Sequence, residues 1–207
     1  MTIDLYRHWL PDVSRETLDK LSGLVELLVK WNQKINLIGR STEALIWDRH
    51  VKDSVQIFNL APNGLRVWAD LGSGGGLPGL VVAVLLAETQ PDCRMHLVES
   101  DLRKATFLRE AVRLLGLHAQ VHSARIEALP SLGADVVSAR ALAPLADLCG
   151  FALRHLADQG ISIFPKGERW KSEVDLARKE WDFALEAVPS STAEHSAVLV
   201  LKGIRHV

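Results

Sequence analysis

Cysteine is nearly absent: Cys93 and Cys149 are the only two in 207 residues. They have no metal-ligand spacing, and nothing in the sequence pairs them, so neither a zinc module nor a disulfide framework is indicated. No Ser-His-Asp order stands out either, and nothing calls for a metal. Long hydrophobic runs are missing too. The longest, Leu77–Ala87, is too short to span a bilayer, and the N-terminus lacks a basic-then-apolar signal pattern. These two absences predict a cytoplasmic protein with no membrane partner. Charge of either sign is not in excess: 24 basic against 25 acidic residues leave a net charge of −1. That balance neither supports nor excludes a nucleic-acid partner. Repeats, low-complexity tracts and long linkers are also lacking. What remains is an ordinary globular composition, 48% apolar and 24% charged, long enough for one α/β core with a small appendage.

Within that composition one stretch stands out, Val67-Trp68-Ala69-Asp70-Leu71-Gly72-Ser73-Gly74-Gly75-Gly76-Leu77-Pro78-Gly79. It reads as a buried strand, a glycine-rich turn and the start of an apolar helix with Pro78 in its first turn. Such a turn lets a nucleotide-like ligand approach the backbone, with the free N–H groups of the helix start facing the crevice. Two cofactors compete. The triplet Gly74, Gly76 and Gly79 matches the dinucleotide pattern, but in the register adjacent to the strand, from Gly72 and Gly74, Leu77 holds the third position. Asp-x-Gly-x-Gly from Asp70 is instead the form used by S-adenosylmethionine-dependent methyltransferases.

Residues 1–60 read as a helical cap and 61–207 as the sheet domain, with Ala61-Pro62-Asn63-Gly64 as the turn between them. In the cap, Ser14 is the expected N-cap of a helix carrying Leu18, Leu21, Val25 and Leu28 through to Trp31. A second helix is expected over Glu43–Leu60, capped by Thr42. Eight basic residues meet eight carboxylates here, so charge alone marks a cover for the core, not an RNA-binding arm. Beyond the turn, strand and helix alternate as in a parallel sheet. Strands are expected at Arg66–Leu71, Arg94–Glu99, Gln120–His122, Asp135–Ala139 and Gly160–Phe164. Helices are expected from Pro78 and over Arg103–Leu115, Leu145–Leu156 and Lys171–Trp181. Two last strands, near Phe183–Ala187 and Ala197–Leu201, suggest a C-terminal hairpin closing one sheet edge, for seven strands in all.

The carboxyl edge of this sheet collects the candidate site residues. Glu99 ends the second strand, where a carboxylate can accept both ribose hydroxyls. The loop Ser123–Ala128 could hold an adenine. Arg140 follows the fourth strand and could meet a carboxylate, a phosphate or a base edge, or form a surface ion pair. Lys166 follows the fifth strand, as a phosphate contact or a solvated lysine. His50, in a polar stretch of the second helix, fits a buried hydrogen-bond network better than a ligand.

Taken together these residues resemble the bacterial small-subunit rRNA methyltransferase G family, also called glucose-inhibited division protein B. The motifs run in order along nearly the whole chain: Lys30-Trp31-Asn32 with Asn36-Leu37, Arg49-His50 with Asp53-Ser54, and Asp70 to Gly74 with Leu77-Pro78-Gly79. Then follow Glu99-Ser100 with Lys104 and Phe107-Leu108, Arg125-Ile126-Glu127, Ser138-Ala139-Arg140-Ala141, and Lys166-Gly167. The resemblance implies a Rossmann-like class I methyltransferase fold and an enzyme that methylates N7 of a guanine in 16S rRNA. Its cofactor, S-adenosylmethionine, would lie on Gly72, Gly74, Leu77, Ile126, Glu127 and Arg140, with Glu99 on the ribose. Arg49, His50, Arg140 and Lys166 are the expected RNA contacts, on 16S rRNA or the small ribosomal subunit, and the protein is expected to act as a monomer. No general base is expected, and no catalytic residue is assigned, because guanine N7 carries no proton. One departure stands out: Ser196-Ala197 replaces the family's usual Arg-His pair, leaving His195 or Arg205 to take its place. Two other readings remain open from the residues, an RNA- or ribosome-binding protein without turnover and an NAD-dependent oxidoreductase. A small-molecule methyltransferase would leave the motifs of residues 30–54 without a purpose.

Overall fold

The computed structural model of the chain describes residues 6–207. Helix α1 spans Arg15–Asn32 and starts where expected, with the Ser14 hydroxyl oxygen accepting from the Thr17 N–H at 3.3 Å. Leu18, Leu21, Leu24 and Leu28 are its buried stripe, while Val25 is only partly buried. The single second helix expected from Glu43 is broken into three pieces: a 3-10 turn Arg40–Leu45, a π turn Ile46–Val51 and helix α2, Lys52–Asn59. Thr42 does not cap it. Its hydroxyl donates to the Gly39 carbonyl at 2.9 Å and meets His50 Nε2 at 2.8 Å. The wide π turn buries Ile46, Trp47 and Val51 together, and such turns recur at functional sites.

The rest alternates as the sequence predicts. The elements are β1 (Val67–Leu71), α3 (Gly79–Thr89), β2 (Arg94–Val98), α4 (Leu102–Leu115), β3 (Ala119–His122) and β4 (Ala134–Ser138). They are followed by α5 (Leu145–His155), β5 (Leu156–Lys166), α6 (Trp170–Ala177), β6 (Trp181–Pro189) and β7 (Ala197–His206). Asp101 caps α4 by accepting from the Arg103 and Lys104 N–H groups, and Gly116 ends it at φ 61°. The seven strands form one sheet in the order β3-β2-β1-β4-β5-β7-β6. The first five are parallel, and β7 runs antiparallel to both β5 and β6. The expected terminal hairpin is present, but its later strand is the inner one and both strands are longer than their apolar centres suggested.

Because β1 lies between β2 and β4, the chain reverses direction across the sheet there and opens a crevice at the carboxyl ends of the strands. Helix α3 is buried from Gly79 through Leu86, which an all-apolar helix between two layers must be. On one side it meets the sheet; on the other, α1 and α2. One apolar cluster joins the N-terminal helices to Trp68, Leu80 and Leu97, and a second on the opposite sheet face holds Leu71, Val98, Cys149 and Phe164.

Candidate functional site

The glycine turn is built from behind. Asp70, one residue before the end of β1, is fully buried, and Ser138 Oγ donates to its Oδ1 at 2.7 Å and itself accepts from Trp68 Nε1 at 2.9 Å. Burial pushes the Asp70 carboxyl up to about 6, against the pull of the Ser138 hydrogen bond, the nearby Ser73 and Gly79 polar groups and the Arg140 charge. Ser73 closes the turn by donating its N–H to the Val98 carbonyl and its hydroxyl to the Asp70 carbonyl, each at 2.9 Å. Gly72 and Gly74 are left-handed, at φ 66° and 53°, as a turn exposing its amides requires.

The other glycines serve packing. A Cβ on Gly79 would lie 2.4 Å from Leu97 and 2.6 Å from Asp70 Oδ2, and one on Gly75 would lie 2.8 Å from the Leu37 carbonyl. Leu37 is placed there by Asn32, which sequence reasoning quoted without a role. Its side-chain oxygen accepts from the Leu37 and Ile38 N–H groups at 2.9 and 3.1 Å, and its amide donates to Glu43 at 2.7 Å. The motif from Lys30 to Leu37 thus backs the turn from the helical side.

In front of the turn lies a cavity of about 360 Å³ lined by Gly72, Gly74, Glu99, Ile126, Glu127 and Leu142, among others. Glu99 is 8% exposed. Its two oxygens accept from the Gly74 and Asp101 N–H groups at 2.8 and 2.7 Å, leaving lone pairs for two further donors. The 3-10 turn Ile126–Ala128 is held from below by the fully buried His155, whose Nε2 lies 3.1 Å from the Ile126 carbonyl. Backbone amides, two carboxylates and an apolar wall suit an amine- and hydroxyl-bearing nucleoside of S-adenosylmethionine size. Of the expected cofactor residues, Leu77 faces the apolar cluster under the turn instead of the cavity.

Arg140 lies outside this cavity, on the wall of a second one of about 350 Å³ that also takes in Asp53, Lys166, Thr192 and Ser196. Ala141, at φ 52°, lines both. Arg140 Nη1 sits 3.1 Å from His50 Nδ1 and 3.6 Å from Asp53. A guanidinium can only donate, so His50 Nδ1 accepts and Nε2–H donates to Thr42, which donates to Gly39. Burial and the nearby Arg140 and Arg49 charges hold His50 down to about 4, which keeps it in this neutral form. His50 thus joins Thr42 and Arg140 in one hydrogen-bond network. Arg49 is exposed beside it. Lys166 donates to the Ala143 carbonyl at 3.0 Å and pairs with Glu173.

At the missing Arg-His pair, Ser196 lines the second cavity and His195 is exposed beside it at φ 61°. Arg205 does not substitute. It pairs with Asp182 near the opposite end of the hairpin, because β7 carries it away from the carboxyl edge.

A family model described as rRNA small subunit methyltransferase G matches residues 17–200. The chain belongs to that family. It is 53% identical over 196 residues to the ribosomal RNA small subunit methyltransferase G of Ruegeria sp. (strain TM1040), covering 95% of each protein. It is 54% identical to that of Cereibacter sphaeroides (strain ATCC 17025 / ATH 2.4.3), covering 95% of this chain and 94% of the relative. Among solved structures, a methyltransferase from Geobacter sulfurreducens superposes with a TM-score of 0.57 at 13% identity, covering 96% and 93% of the two chains. M. jannaschii TYW2 in complex with AdoMet gives 0.56 at 14% identity, over 76% of each chain. These likenesses bear out the class I methyltransferase fold. The dinucleotide reading of Gly74, Gly76 and Gly79 fails on geometry as well as on family. The second glycine of that pattern would face the pyrophosphate, yet a Cβ on Gly76 would strike Leu80 at 2.3 Å and Gly76 does not line the cavity, whereas Gly72 and Gly74 do. No helix among the described residues is long and apolar enough to cross a membrane.

Proposed function

We propose that this methyltransferase transfers the methyl group of S-adenosylmethionine to N7 of one guanine in 16S rRNA, acting as a cytoplasmic monomer. The observation that carries the reading is the pair of cavities meeting at Ala141, the first suited to a nucleoside cofactor and the second to a planar acceptor. When bound, S-adenosylmethionine supplies an electrophilic methyl on a sulfonium. Gly72, Gly74, Ile126 and Glu127 form the bed for it, and Glu99 accepts from the ribose hydroxyls.

The second cavity suits a neutral base. Its cations Arg140 and Lys166 face the carboxylates Asp53 and Glu173, so little net charge remains for a phosphate. Guanine N7 offers an in-plane lone pair and no proton, so the residues around it orient and exclude water instead of moving a proton. Arg140 keeps donors beyond the one spent on His50, and one of these fits the guanine O6, leaving the N7 lone pair free to attack the methyl carbon. Arg49, exposed at the rim, is placed for backbone phosphates. Residues 1–60 act as a cap that supports the glycine turn through Leu37 and orients Arg140 through His50, over a sheet domain of residues 61–207.

Small ribosomal subunits lacking methylation by an enzyme of this family, incubated with tritium-labelled S-adenosylmethionine, test the proposal. Label is expected in 16S rRNA alone. Full cofactor binding with no label in rRNA would contradict it, pointing to a binding protein without turnover.

A further inference from the structure

The acceptor cavity has an outer wall made by the turn between β6 and β7, which contributes Ser190, Thr192, Ala193 and Ser196. Internally this turn is closed by Ser190, whose N–H donates to the Ser196 carbonyl at 2.9 Å and whose hydroxyl oxygen accepts from the Thr192 and Ala193 N–H groups, each at 3.2 Å. Its position relative to the rest of the molecule is set by α2. Gln56 spans the turn's entrance: Nε2 donates to the Pro189 carbonyl at 2.7 Å, and Oε1 accepts from the Ser191 N–H at 2.9 Å. One turn of helix earlier, Asp53 Oδ1 accepts from the Thr192 hydroxyl while Oδ2 faces Arg140 at 3.6 Å. Residues 133 to 139 positions apart in sequence are thereby tied across the cavity mouth.

We propose that Asp53 and Gln56 on α2 are positioning residues that fix the 189–196 turn as the outer wall of the acceptor pocket. The inference rests on reading that cavity as the acceptor site. Asp53 couples two parts of the wall, since one carboxylate holds both the turn and the arginine facing the base. Burial raises its own proton affinity, and the Thr192 hydroxyl and the Arg140, Arg49 and Lys52 charges act against that. Residues 189–196 carry neither lysine nor arginine. With no long cation on the turn to reach the RNA, the placement of the turn backbone itself determines the shape of the pocket. The cofactor cavity does not include Asp53, Gln56 or Thr192.

The test compares wild type with Gln56→Ala, Thr192→Val and Thr192→Ser on methylation-free small subunits, measuring kcat and KM for the subunit and the dissociation constant for S-adenosylmethionine. Gln56→Ala and Thr192→Val should each raise KM for the subunit about five- to tenfold, as loss of one or two hydrogen bonds implies. Thr192→Ser should return the wild-type value, and cofactor affinity should stay within about twofold, since the cofactor cavity is untouched. Hydrogen exchange at the amides of residues 190–196 should speed up in the first two variants and not in the third. Wild-type KM and wild-type exchange in both variants would overturn the clamp. A cofactor affinity that falls in step with KM would also overturn it, showing a general loss of structure. If wild type itself labels no rRNA, the acceptor reading fails and takes this inference with it. Label in wild type with unchanged variants defeats the clamp alone.

Discussion

Replacing Ser138 with alanine is the sharpest probe of the scaffold beneath the glycine turn. Ser138 is fully buried, and its hydroxyl is the sole link between the Trp68 indole and the Asp70 carboxylate, at 2.9 and 2.7 Å. Removing it leaves two buried polar groups without that partner, each costing about 1–3 kcal/mol, so a loss of about 2–6 kcal/mol is expected. For a chain of this size that corresponds to a fall in Tm of roughly 4–24 °C. The Asp70 carboxyl, already pushed up to about 6, loses its largest opposing hydrogen bond and should rise further. Ser162 supplies the matched control. It is equally buried, but its hydroxyl has no hydrogen-bond partner among the described residues. Ser162→Ala should therefore change stability by less than about 0.5 kcal/mol or raise it, since no bond is broken. Urea unfolding of both variants decides the matter. Equal effects, or a Ser138→Ala protein as stable as wild type, would refute the reasoning.

Three further predictions concern the site and its cap. Glu99→Gln removes the charge that receives two backbone amides and faces the cofactor cavity, and should weaken S-adenosylmethionine binding about ten- to a hundredfold by calorimetry. Gly79→Ala forces a methyl to within 2.6 Å of Leu97 and Asp70, so a loss of about 1–3 kcal/mol is expected, whereas Gly116→Ala, with open space around it, should cost about 1 kcal/mol from its left-handed backbone alone. His50 stays neutral in the folded protein down to about 4, while an unfolded chain protonates it near 6.5. The unfolded state thus binds the extra proton between these values, so this group's effect is to lower stability as pH falls from 6.5 towards 4. Unfolding at pH 5 should take up about one proton less in His50→Asn than in wild type, measured from the pH dependence of the urea midpoint.

Local rules carried much of this fold. Ser14, Asp101 and Gly116 mark helix ends through hydrogen bonds within a few residues, and the central strands β1 and β4 read as short apolar runs because both of their faces are buried. The cavity proposed for the cofactor gathers Gly72, Gly74 and Glu99 for the same reason: they sit at strand ends, where the order of elements alone places them. What could not be read depends on pairs distant in sequence. The π turn at Ile46–Val51 has the apolar pattern of an ordinary helix, and its purpose appears only when His50 meets Arg140, ninety positions away. Lys166 read as a free cation because its partner Glu173 lies on the next helix, turned back by the fold. Leu77 matched a motif position yet faces the apolar cluster, since the turn that brings its neighbours to the cavity points its side chain the other way. Arg205 was offered for the missing arginine because charge is visible in sequence and strand direction is not.

The proposed methyl transfer ends at a guanine N7 held beside Arg140. The most direct test treats 16S rRNA from small subunits, before and after incubation with the enzyme and S-adenosylmethionine, with borohydride and aniline, which together break the chain at N7-methylguanosine. One new strand break is expected, at a single guanine, absent when Arg140→Ala replaces the wild-type enzyme. Tritium entering the rRNA without any such break would contradict it, leaving a methyltransferase that acts on another atom.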